Sequence, residues 1–165
     1  MNEKNLITIE SDLDDLQDEE LFAMLTETVN TALALEGVEL PCEVNILLTD
    51  DEGIQQVNRD MRGVDAPTDV LSFPMFDLVP GEHPTEDDRD PGSETVPLGD
   101  MCISVERASA QAQEFGHCMA REINYLCVHS VLHLLGYDHL DEGEQKRQMR
   151  EHEECIMTAL DLPRE

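Results

Sequence analysis

A chain of 165 residues with 40% apolar composition suits one domain with a sizeable core. Its 38 acidic against 10 basic residues leave a formal charge of −28, which favours solubility and generally repels nucleic acids, membranes and other acidic polymers. Aromatics make up only 4% and tryptophan is absent, so recognition of nucleic acid by rows of stacked rings has little material to work with.

The five cysteines (Cys42, Cys102, Cys118, Cys127 and Cys155) form no C-x-x-C pair, and an odd number fits poorly with a complete disulfide framework. The N-terminus carries no apolar signal region and no segment approaches membrane-spanning length, so a reduced cytoplasmic setting is expected. Only Lys4 and Lys146 are lysines. A salty cytoplasm, where the Debye length is about 3 Å at 1 M salt, would mute the self-repulsion of so acidic a chain.

In chain order, Leu6 to Ile9 reads as a strand, and Asp18 to Leu35 as a helix with apolar residues Leu21, Met24, Leu25, Val29 and Leu33 at helical spacing and Gly37 as its stop. Cys42 to Thr49 is a second strand. Asp50-Asp51 can cap a short helix running through Ile54, Val57 and Met61 to Gly63. Arg59 and Arg62 then stand beside a rigid turn at Pro67, where Thr68 and Asp69 can hydrogen-bond the backbone as a third strand, Val70 to Phe73, begins. By themselves the two arginines read as surface ion-pair residues.

After Pro74, residues 77–96 are dense in Pro, Gly, Asp and Glu and are expected to form a mobile acidic surface loop. Leu98 to Val105 reads as a fourth strand. Helices follow over Glu106 to Phe115, Met119 to about Leu135 and Glu142 to Leu160. With no internal repeat and no second core, this order predicts one layered α/β or α+β domain over residues 1–165.

The second of those helices, Met119 to about Leu135, carries the chemistry. His129 and His133 are four residues apart, so on a helix they lie on one face, offset by about 40° and roughly 6 Å of rise, within reach of one ion. Gly136 stands where the helix would end; glycine enters the left-handed conformation there freely, so the chain can turn His139 back toward the pair. Three histidines with a fourth position left to water is the pattern of a catalytic zinc site, whereas structural zinc is usually closed by four protein ligands. Cys127 faces roughly the opposite side and reads as a core thiol. The spacing matches the long zincin motif except that the peptidase's glutamate, the general base after the first histidine, is replaced by Ser130. Serine cannot accept a proton near neutral pH, which makes peptide hydrolysis the less favoured chemistry.

Together, the N-x-x-x-R-x-x-D-x-P-T-D-V-L-S-F-P run from Asn58 to Pro74, Leu98-Gly99-Asp100, and the H-x-x-x-H-x-x-G-Y-D-H string from His129 to His139 resemble the YbeY family of metal-dependent endoribonucleases. The resemblance implies a zincin-like α+β fold, a small four-stranded mixed sheet packed with helices around a metal-bearing central helix. It further implies one zinc ion on His129, His133 and His139, a functional arginine at Arg62, and action on single-stranded RNA in ribosomal RNA maturation, in association with the small ribosomal subunit or its assembly factors. Met61 and Ser130 depart from the family's usual tyrosine and glycine, and the 77–96 loop is longer than typical.

On this reading zinc can lower the pKa of water to about 7, supplying a nucleophile without a dedicated glutamate. Arg62 is the candidate for the scissile phosphate, Arg59 for a backbone contact, and Asp138 for orienting the third ligand. An acidic body engages RNA only if its cations converge on one cleft. Two other classes remain: a zinc peptidase or other small-substrate metallohydrolase, which needs a carboxylate brought near the metal by folding, and a non-enzymatic ribosome-assembly factor with a closed structural zinc. DNA and membranes are not expected partners.

Overall fold

The alternation of Ile7 and Ile9 with Thr8 and Glu10 fits a strand with one face on the core, and it forms β1, Leu6–Ser11. The computed structural model describes residues 5–14, 17–137 and 143–160. It continues with α1 (Glu19–Leu35), β2 (Cys42–Thr49), α2 (Asp51–Arg62), β3 (Val70–Pro74), β4 (Val96–Ser104), α3 (Val105–Phe115), α4 (Met119–Leu134) and α5 (Glu144–Ala159). The four strands form one mixed sheet in the order β1-β2-β4-β3, parallel except for the antiparallel β3–β4 pair. This is an α+β fold.

Side-chain alternation divides the sheet between two layers. Val44, Ile46 and Leu48 of β2 and Met101 and Ile103 of β4 face a large core shared with α1, α3, α4 and α5, whereas Leu71 and Cys102 face Ile54 of α2 on the other side. Helix α4 lies at the centre of the larger layer, packed against β3, β4, α1, α3 and α5. Its Ile123, Cys127, Val128, Val131, Leu132 and Leu134 are all inaccessible to solvent. Such a helix is apolar on most of its circumference because it is covered on most of it. Polar side chains at its sheet-facing and α5-facing edges are therefore held in fixed surroundings, which suits a site.

Local signals set the boundaries. Asp18 caps α1 by accepting from the Glu20 and Leu21 amides, and Asp50 caps α2 by accepting from Gly53. Gly63 closes α2 in the left-handed conformation at φ 71°. Residues 77–96 run over the surface with their own hydrogen bonds: a 3-10 turn at Glu86–Asp88, the Asp88 carboxylate on the Thr85 amide, Arg89 donating to the Glu94 carbonyl, and His83 on the Glu36 carbonyl at the end of α1.

Candidate active site

His129 and His133 project from the same side of α4, and their Nε2 atoms converge to 3.1 Å. What fixes the first ring comes from another helix. His129 Nδ1 lies 2.6 Å from Oε2 of Glu153 on α5, and the hydroxyl of Tyr125, one turn back on α4, donates to Oε1 of the same carboxylate at 3.1 Å. Glu153 is 5% exposed. A carboxylate oxygen accepts hydrogen bonds, so the contact selects the tautomer in which Nδ1–H of His129 donates to Glu153, and leaves the Nε2 lone pair directed at His133. Tyr125 remains a donor because burial, and then the charge of Glu153, push its ionisation above the ordinary tyrosine range.

The pair opens onto a cleft of about 590 Å³ whose walls include Arg62, Asp69, Ser72, Asp77, Phe76 and Tyr137. Arg62 is the last residue of α2 and lines the cleft, with Gly63 ending the helix directly after it. The opposite wall depends on Gly136, at φ 100°: a Cβ there would lie 2.2 Å from the Leu78 carbonyl oxygen, so no side chain fits between helix end and loop. Tyr137, buried beside it, reaches His152 Nδ1 at 3.4 Å, and His152 in turn pairs with Glu36 at 2.7 Å. Those contacts fasten the chain immediately before residue 138. At the other wall Asp69 accepts from the Val70 amide and Thr68 hydroxyl on one oxygen and from Gln111 on the other.

The structure thus brings Arg62, His129 and His133 to one cleft. Arg59 is not among the residues lining it; its guanidinium lies 3.7 Å from Asp60 and 4.0 Å from Asp65, over half-exposed surface. His139 and Asp138 fall outside the described residues. Among the described residues, no three His, Cys, Asp or Glu side chains gather in a way that could hold an ion. The sequence reading missed Glu153, although a signal was present: with Met149, Ile156 and Met157 it forms the buried stripe of α5, and a carboxylate on such a stripe needs a buried partner.

The family model for endoribonuclease YbeY matches residues 6–161. The chain belongs to the YbeY family of endoribonucleases. Its relatives include the endoribonuclease YbeY of Clostridium botulinum (strain Eklund 17B / Type B), 46% identical over 147 residues that cover 85% of this chain and 88% of the relative. That of Caldicellulosiruptor saccharolyticus is 40% identical over 159 residues, covering 96% and 99% of the two chains. The solution structure of TM1509 from Thermotoga maritima superposes with a TM-score of 0.59 at 24% identity, covering 94% of this chain and 92% of that one. At that identity the structural match speaks to the fold alone.

Proposed function

We propose that this protein is a single-strand-specific endoribonuclease acting in ribosomal RNA maturation and ribosome quality control, and that its site has the zincin-like arrangement of a zinc ion on His129, His133 and His139. The observation that carries the reading is the shared cleft: a forked cation, Arg62, opens onto the same space as the convergent histidine pair. The donor set fits zinc, since the Glu153 contact leaves His129 Nε2 as a lone-pair donor facing His133. Zinc, when bound, supplies a Lewis acid and makes water acidic enough (pKa about 7) to provide hydroxide near neutrality.

The chain's own residues do the rest. Arg62 pairs with non-bridging phosphate oxygens through two parallel N–H bonds and stabilises the charge that builds on them during cleavage. Glu153 keeps the His129 proton on Nδ1 throughout. Phe76, Leu78 and Tyr137 give the cleft an apolar stretch of wall. Arg59, earlier on α2, extends the path of the RNA backbone outside the cleft, and Asp138 orients the third ligand. The small ribosomal subunit or its assembly factors are the expected partners. A cytoplasmic setting agrees with the free cysteines and with the absence, among the described residues, of any helix long and apolar enough to cross a membrane.

The peptidase reading finds less support. Glu153 is committed to the Nδ1 side of His129 and both oxygens of Asp69 are engaged, so among the described residues of the cleft Asp77 is the carboxylate that this reading would have to use as its base. Arg62→Ala tests the preferred reading: cleavage of single-stranded RNA should fall about 10²–10³-fold with zinc content unchanged. Full activity with metal bound would remove the arginine from the reaction.

A further inference from the structure

Ser130 follows His129 directly, is fully buried, and plays no part in the chemistry described so far. Its Oγ lies 2.6 Å from Oγ of Ser72, a β3 residue whose side chain opens into the cleft beside Arg62. At that separation one hydroxyl donates to the other. Ser130 has no other side-chain hydrogen bond among the described residues. If Ser72 were the donor, the Ser130 proton would be buried without an acceptor, which is the costlier arrangement. Ser130 therefore donates, and the Ser72 proton is left to point elsewhere. The open direction is the cleft.

We infer that Ser72 is a substrate-binding donor, giving its hydrogen to one non-bridging oxygen of the phosphodiester held by Arg62, and that Ser130 is a positioning residue that sets the direction of that hydrogen. The inference rests on the reading of the cleft as a phosphodiester site. A neutral donor is of use there because Asp69 and Asp77 also line the cleft and repel the phosphate. The contact is directional and touches one oxygen only, so it distinguishes the two faces of the phosphate.

The test is cleavage of a single-stranded RNA oligonucleotide carrying one Rp or one Sp phosphorothioate at the scissile linkage. Ser72→Ala should lower kcat/KM about tenfold on the unmodified linkage and shift the Rp/Sp rate ratio by a similar factor, with zinc content unchanged and a melting temperature lowered only modestly, since Ser130 loses its acceptor. Ser72→Thr, which keeps the hydroxyl, should restore the ratio. Ser130→Ala should lower kcat/KM less, and the double variant should fall no further than Ser72→Ala alone, because both act through one hydrogen bond. An unchanged Rp/Sp ratio in Ser72→Ala, or additive losses in the double variant, would overturn the inference while leaving the ribonuclease reading intact. Absence of RNA cleavage by the unmodified protein would remove both.

Discussion

Glu153 Oε2 and His129 Nδ1, 24 residues apart on α5 and α4, are joined at 2.6 Å inside the protein. The last helix thereby fixes the tautomer of the first expected metal ligand, and the folding of α5 becomes a condition for a competent site. Glu153→Gln should weaken zinc binding about 10–100-fold, read by competition with a chromophoric chelator. Tyr125→Phe, which removes only the other bond to that carboxylate, should cost less. Zinc affinity unchanged in Glu153→Gln would mean that the contact does not tune the ligand.

A second prediction concerns pH. Glu122, buried in the first turn of α4, has its carboxyl pushed up from 4.5, chiefly by burial and also by Asp69, against the opposing pull of His117 and Arg121. Folding therefore favours the neutral carboxyl: its contribution to stability is present below the unfolded value and is lost as pH rises through the folded one. Glu122→Gln should be more stable than the parent near pH 7, with the advantage vanishing below about pH 4.5. Urea unfolding at both pH values checks this, and a variant less stable at pH 7 would contradict it.

The thiols should divide cleanly. Burial pushes Cys42 up to about 11 and Cys127 to about 12, and Cys102, with the charge of Asp12 adding to burial, to about 12. Cys118 and Cys155 are exposed. Because the thiolate is the nucleophile, maleimide at neutral pH should label those two in the folded protein and the buried three only after unfolding. Rapid labelling of Cys127 in the native state would conflict with its place in the core.

With a formal charge of −28, self-repulsion should dominate the salt response. Thermal stability should rise between 0.05 and 1 M KCl as the Debye length falls from roughly 14 Å to about 3 Å. Calorimetry across that range gives the answer; a melting temperature indifferent to salt would mean that the acidic surface costs the fold nothing.

The sequence carried the local features well. The bounds of β2 and the capped ends of α2 follow directly from alternation, Asp50 and Gly63, because those signals act within a few residues. Where pairing decides, the reading stopped short: β4 begins at Val96, two residues before the expected Leu98, because Val96 pairs with Cys42 and its amide bonds to the Pro41 carbonyl. The site shows the same division. The i, i+4 histidines and Arg62 were legible from spacing and motif, and Glu153 could have been found from its place on an apolar stripe. The Ser72–Ser130 bond spans 58 residues and joins an edge strand to the central helix, so no local pattern announces it.

The central claim is tested most directly by incubating the purified protein with single-stranded ribosomal RNA, with and without a zinc chelator, beside His133→Ala. The account predicts cleavage by the untreated protein, abolished by the chelator and restored by added zinc, and none by the variant. Cleavage that survives both the chelator and His133→Ala would contradict it.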